Sequence, residues 1–159
     1  ILGFSKIASS FPDWKVVIAG NGEIDKAKAI AKECGIEKQV VFLGWVNGKA
    51  KDLAFQQASI YCLASDGEGF PMGVLDAWAY GIPCVVTPVG GLPDIVVDGE
   101  NALVFPVGDV DVLARQLERM ISDDELREKI ADASLALAHT TFNIECINKK
   151  MEKIYDRFK

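Results

Sequence analysis

Glu68 and Asp76 are the residues of this chain best placed for chemistry. In Ser65-Asp-Gly-Glu-Gly-Phe-Pro-Met-Gly-Val-Leu-Asp-Ala-Trp-Ala-Tyr-Gly-Ile-Pro-Cys-Val-Val-Thr87, Glu68 lies in a glycine-flanked loop and Asp76 follows it after seven residues. Pro71 stands at the favoured first position of a helix expected from about Pro71 to Tyr80. No Asp, Asn or Ser occupies the capping position near Phe70, so free amides are expected on Met72 to Val74. Such a helix start, beside glycines that permit close approach, is a phosphate cradle. Asp76, about five residues along, lies roughly 7.5 Å down the axis. That distance suits a diphosphate at the tip and a ribose one turn further, its vicinal hydroxyls accepted by a carboxylate, with Glu68 taking hydroxyls of a sugar. A plainer reading, with Glu68 stabilising the helix start and Asp76 solvated, fits the spacing equally well.

Other residue types are less suited. Gly20-Asn-Gly22 follows a β-branched run and precedes a helix, but Asp25 stands where a dinucleotide fingerprint has its third glycine. Glu23 and Asp25 already compensate the helix dipole there, so a tight turn, or the lining of a ligand cleft by Gly22, is expected. Ser65 has no histidine neighbour to activate it. His139, the single histidine, ends a helix, where its charge is favourable without further purpose. Cys34, Cys62, Cys84 and Cys146 have neither zinc-site nor disulfide-framework spacing and are expected as buried, reduced thiols of a cytoplasmic protein. No metal site is expected.

The elements that must hold Glu68 and Asp76 alternate. Apolar runs at Trp14–Ala19, Val40–Leu43, Ser59–Leu63, Cys84–Thr87 and Ala102–Phe105 read as strands, with helical spacing between the first four. None shows polar alternation, so both faces are expected to be buried, as in a parallel sheet between helices. Right-handed crossovers then give an α/β, Rossmann-like doubly wound sheet with ligands beyond the carboxyl ends of its strands. From Val110 onward the chain is an all-helical tail, where Glu125 and Lys129 are spaced to pair. Its last helix carries Ile147, Met151, Ile154, Tyr155 and Phe158 on one face, expected to pack on a core, with a membrane-surface face as the alternative reading.

Composition sets the outer bounds. The chain has 159 residues, half of them hydrophobic and a quarter charged, which excludes a disordered or low-complexity segment. Seventeen Lys and Arg against 23 Asp and Glu leave a net charge of −6, which argues against nucleic acid as a partner. The longest apolar run, Ile82–Val89, falls short of the ~20 residues of a membrane span. Area scaling gives about 7,800 Å² of folded surface against roughly 25,000 Å² unfolded, enough burial for one domain over 1–159. The absence of an initial methionine points to a piece of a longer protein.

Five blocks in order carry a resemblance. They are Val16-Val-Ile-Ala-Gly-Asn-Gly22; Val40-Val-Phe-Leu-Gly-Trp-Val46; Glu68-Gly-Phe through Asp76-Ala-Trp-Ala-Tyr-Gly-Ile-Pro83; Gly90-Gly-Leu-Pro-Asp-Ile-Val96; and Asp98-Gly99 with Leu103-Val104. Together they resemble the retaining, GT-B-fold nucleotide-sugar glycosyltransferases of the family 4 type (glycosyl transferases group 1). Glu68 and Asp76 match that family's E-x7-E signature, and the chain matches its C-terminal, donor-binding domain.

The resemblance implies that Glu68 is catalytic, meeting hydroxyls of the donor sugar. It implies that Gly69, Phe70, Pro71 (which has no N–H), Met72, Gly73 and Val74 line the sugar and distal phosphate. Asp76 would then bind the ribose, while Trp45 and Val46 contact the base and Gly22 lines the cleft. The implied reaction moves a hexosyl group from a UDP- or GDP-sugar to a glycan or lipid-linked acceptor with retention. It uses no metal, and no cofactor besides the nucleotide sugar as co-substrate. The acceptor would be held by a preceding N-terminal domain, and peripheral membrane association of the full-length protein stays open. Two departures stand out. The second acid is Asp, a methylene shorter than Glu. The family's first strand and its basic pair are also absent, with no Arg or Lys between Phe55 and Val110 to replace them, so the fragment alone is expected to be inactive. A central strand missing from a doubly wound order leaves edges to cover. The competing readings are a non-catalytic binding or assembly module and an epimerase or phosphorylase on the same scaffold.

Overall fold

The computed structural model describes residues 1–158. Among them the expected alternation is present: α1 (Leu2–Ser5), β1 (Val16–Ala19), α2 (Ile24–Glu33), β2 (Val40–Gly44), α3 (Gly48–Gln57), β3 (Tyr61–Leu63), α4 (Met72–Ala79), β4 (Cys84–Val86) and β5 (Leu103–Val104). The helical tail is α5 (Val110–Ser122), α6 (Asp124–Thr140) and α7 (Ile144–Tyr155). Asp109, Asp123 and Asn143 cap the starts of α5, α6 and α7 through their side chains.

All strand pairs are parallel, but they form two sheets. β1 pairs β2, with Val16 opposite Val40, whereas β3, β4 and β5 form a second sheet with Tyr61 opposite Cys84 and Val85 opposite Leu103. Among the described residues no ladder joins β1 to β3, so each presents an unpaired edge.

Burial on both faces holds for β4 alone. Cys84 and Val86 pack with Val74, Ala77 and Trp78 of α4. Val85 faces the other way, onto Leu113, Met120 and Ile130 of α5 and α6. This alternation presses α4 onto one face of the sheet and aims its start at the carboxyl ends of β3 and β4. β1 and β2 are instead covered on one face, by Phe4, Ile7, Ala31, Ile36 and Ala114, while Val17, Val41 and Leu43 face solvent. A Val/Ile run has the same composition in a one-sided strand as in a two-sided one, which is why its pattern misled.

Other expectations are corrected as well. Of the four free cysteines Cys84 is buried, Cys34 and Cys146 are half-buried, and Cys62 is exposed. Lys129 does not pair with Glu125 but donates to the Gly99 carbonyl, as befits exposed pairs of small worth. Ile147, Met151, Ile154 and Tyr155 of α7, and Phe158 beyond it, stay exposed and join none of this chain's core. These open faces help explain an accessible surface of 9714 Å², well above the scaling value. Among the described residues no helix is long and apolar enough to cross a membrane.

Candidate donor-binding site

α4 begins without a side-chain cap, as expected, but one position later than expected. Pro71 is its capping residue, at φ −76° and ψ 93°, and its carbonyl accepts the amide of Val74 at 3.0 Å. Val74 is also fully buried, so the expectation that its amide is free is wrong: an i+3 bond tightens the first turn and consumes it. The amides of Met72 and Gly73 have no acceptor among the described residues.

The loop ahead of α4 is held from below. Buried Thr87, just past β4, donates its hydroxyl to the Ser65 carbonyl at 2.8 Å. The Ser65 hydroxyl donates to Oε1 of exposed Glu68 at 2.7 Å. The Gly91 amide donates to the Gly69 carbonyl at 3.0 Å. Gly90, at φ +60°, lies so close that a Cβ there would overlap the Gly69 carbonyl oxygen and stand 2.7 Å from that of Glu68. Phe70 lies against Gly91 and tilts onto Phe142 at a ring separation of 6.1 Å.

Tyr61 lies beneath the start of α4. Its hydroxyl sits under the first turn of α4, where a Cβ on Gly73 would overlap it. Burial pushes its pKa up from 10.0 to about 12, and Cys84, Cys62, Asp76 and Glu68 add to the rise in that order. Asp76 lies one turn along the helix that begins at the free amides, and exposed Glu68 lies in the loop ahead of it.

Asp76 is not merely solvated. Its Oδ2 accepts from the Lys51 ammonium at 2.6 Å, with the Asp76 side chain one-third exposed. Lys51 belongs to the first turn of α3 and lies over the ring of Phe55. Phe55 stacks on Tyr61 and Tyr80, and the Tyr80 hydroxyl donates to Asp52 at 2.9 Å. Two side-chain bridges, Lys51 to Asp76 and Tyr80 to Asp52, thus link α3 to α4 and the residue that ends it, and a cation stands at the second acid despite the long Lys- and Arg-free stretch that follows Phe55.

The remaining candidates lie at the carboxyl ends of the other sheet. Gly22 is exposed in the turn after β1, and the Gly20 amide donates to the Gly44 carbonyl at 2.7 Å, joining that turn to the end of β2. Trp45 follows, 71 % exposed, with half-buried Val46 leading into α3. Two hollows elsewhere, one beside Lys28, Glu37 and Phe42 and one beside Phe55, Tyr80 and Arg127, include neither Glu68 nor Asp76. Sequence reading missed Lys51, Thr87 and Tyr61, and set Ser65 aside as a failed nucleophile when its hydroxyl orients Glu68. No local signal links position 51 to position 76, because only the tertiary fold brings them together.

Residues 1–135 match the family profile described as Glycosyl transferases group 1. The chain belongs to that family. N-acetyl-alpha-D-glucosaminyl L-malate synthase of Bacillus anthracis is 31 % identical over 156 residues, 98 % of this chain and 40 % of that protein. Lipopolysaccharide 1,6-galactosyltransferase of Salmonella typhimurium is 31 % identical over 76 % of this chain and 35 % of its own length. The chain therefore spans well under half of these glycosyltransferases. Among solved structures, the C-terminal domain of a glycosyl transferase group 1 family protein (LpcC) from Francisella tularensis has a TM-score of 0.80 at 29 % identity, over 90 % of this chain and 77 % of that one. Anabaena HepE, solved in complex with UDP, has a TM-score of 0.85 at 23 % identity, over 98 % of this chain and 44 % of that one, a likeness of fold. The fold is accordingly that of the C-terminal domain of GT-B glycosyltransferases.

Proposed function

We propose that this chain is the donor-binding part of a glycosyltransferase, taking a UDP- or GDP-hexose and presenting its sugar for transfer with retention to a glycan or lipid-linked acceptor. The observation that carries the reading is the pair of unbonded amides, Met72 and Gly73, at the start of α4, with Asp76 one turn along that helix and Glu68 in the loop ahead of it. The diphosphate meets those amides and the helix dipole. Asp76 accepts the ribose hydroxyls, and Glu68, aimed by Ser65, accepts hydroxyls of the sugar. Trp45 and Val46 stand by the base. HepE, similar in fold, was solved with UDP and with UDP-glucose, which supports a nucleotide-sugar ligand here.

In the proposed reaction the bond between the anomeric carbon and the distal phosphate oxygen breaks, its electron pair staying on the diphosphate. The acceptor oxygen bonds to the anomeric carbon on the face the phosphate left, and its proton passes to the departing phosphate oxygen. Charge growing on that oxygen is stabilised by the α4 amides, a role that needs no metal in this reading. The acceptor-binding domain is proposed to lie in another part of the protein, so residues 1–159 bind donor without transferring it. A cytoplasmic location suits the four unpaired cysteines.

Calorimetry with UDP, GDP and their hexose derivatives tests the reading. Saturable binding of one series is expected; no heat from any of them at millimolar concentration overturns donor binding by this chain.

A further inference from the structure

The pairing of Lys51 with Asp76 has a consequence for the ligand. A carboxylate offers about four acceptor positions, and the ammonium takes one on Oδ2, so Oδ1 is left for a ligand hydroxyl. The ammonium also lies 5.8 Å from the centre of the Phe55 ring, which stacks on both Tyr61 and Tyr80. The charges of the pair cancel. Asp76 lies four residues past Met72, about 6 Å along the axis from the free amides and so within a Debye length of any anion bound there. A bare carboxylate at that distance opposes an anionic ligand, and a neutralised one does not. Among the site residues expected from the sequence there is no cation, and tertiary packing brings Lys51 to Asp76.

We infer that Lys51 is a positioning residue for the nucleotide ribose: it orients the Asp76 carboxylate toward the vicinal hydroxyls and cancels its charge beside the diphosphate. The inference rests on the nucleotide-sugar reading above, and Lys51 acts through Asp76 without touching the reacting atoms.

The test is a binding cycle on the chain as it stands, with whichever of UDP and GDP it binds and the 2′-deoxy form of that nucleotide. Lys51→Met is expected to weaken nucleotide affinity about tenfold, the scale of a charge-assisted hydrogen bond lost. It is also expected to remove most of the preference for the ribose over the deoxyribose ligand. Lys51→Arg restores both to within about threefold. Adding Lys51→Met to Asp76→Asn brings little further loss, because the lysine's partner is already gone. Lys51 is partly exposed, so the variants are expected to fold; Lys51→Gln repeats the test if Lys51→Met does not. The inference is overturned if Lys51→Met keeps the ribose preference, as a purely structural role would, or if the Lys51→Met and Asp76→Asn losses add in full, as a direct phosphate contact would. A wild-type chain that binds neither UDP nor GDP instead overturns the nucleotide reading itself.

Discussion

The Ser65 hydroxyl donates to Glu68 at 2.7 Å, while the carbonyl of the same serine accepts from Thr87 at 2.8 Å. A buried threonine at the end of β4 thereby reaches an exposed carboxylate through one intervening residue. Strand and catalytic candidate are connected by two hydrogen bonds.

Glu68 is expected to act on the sugar rather than on the nucleotide. In the full-length protein Glu68→Gln should lower kcat at least ~100-fold, the scale of a lost charged contact made in the transition state, while the affinity for the bare nucleotide diphosphate changes less than threefold. Ser65→Ala leaves the carboxylate in place but unaimed, and a fall of about three- to tenfold in kcat is expected. Steady-state kinetics with nucleotide titrations checks both. Equal activity of Glu68→Gln and wild type would remove Glu68 from the site.

Thr87→Val keeps the shape of a buried side chain and deletes its hydroxyl. It leaves the Ser65 carbonyl without its donor, at a cost of about 1–2 kcal/mol. For a domain of this size that is a fall of roughly 3–6 °C in melting temperature, read by calorimetry. Transferase activity of the full-length protein should fall with it, since the Glu68 loop loses its attachment to β4.

Gly90 and Gly99 separate backbone strain from crowding. Both have positive φ, +60° and +75°, but only Gly90 has the carbonyls of Glu68 and Gly69 against its Cβ position, while Gly99 faces open space. Gly99→Ala is expected to destabilise by about 1 kcal/mol without changing donor binding. Gly90→Ala adds displacement of the Glu68 loop backbone, which cannot move aside cheaply. More than ~2 kcal/mol and a large loss of donor affinity are expected. Denaturant melts and ligand titrations on the two variants distinguish these effects.

Tyr61 makes stability pH-dependent at the alkaline end. Its pKa of about 12 in the fold exceeds the ordinary 10.0, so the unfolded chain ionises first as pH rises. Stability from this group is whole below pH 10 and is lost as the pH climbs through about 12, by roughly 1–2 kcal/mol after allowance for its partial exposure. Tyr61→Phe should flatten that limb in pH-dependent denaturant melts. An unchanged slope between pH 10 and 12 would mean the hydroxyl does not sit in the low-dielectric place beneath Gly73.

Much of the architecture was legible locally because it depends on neighbours in the chain. The β-branched runs at Val16–Ala19 and Cys84–Val86, and the uncapped start at Pro71-Met72, each carry their own short-range cause. Where a feature depends on what lies across space, the residues were silent. Val17 and Val41 read as buried because a Val is the same letter whether or not a helix covers it. Val74 read as a free amide because nothing in the sequence shows that its amide bonds the Pro71 carbonyl three residues back, tightening the first turn.

By itself, then, the amino-acid order determined the alternation of strands and helices, the glycine-flanked acid ahead of an uncapped helix, and the family to which the blocks belong. Only the tertiary structure decided that β1–β2 and β3–β4–β5 stand as separate sheets, that Thr87 aims Glu68 through Ser65, and that Lys51 meets Asp76. The physical reason is range. Propensity, capping and turn chemistry act over a few residues, whereas an ion pair between positions 51 and 76 exists only where the fold brings separate elements together, here through the stacked rings of Phe55, Tyr61 and Tyr80.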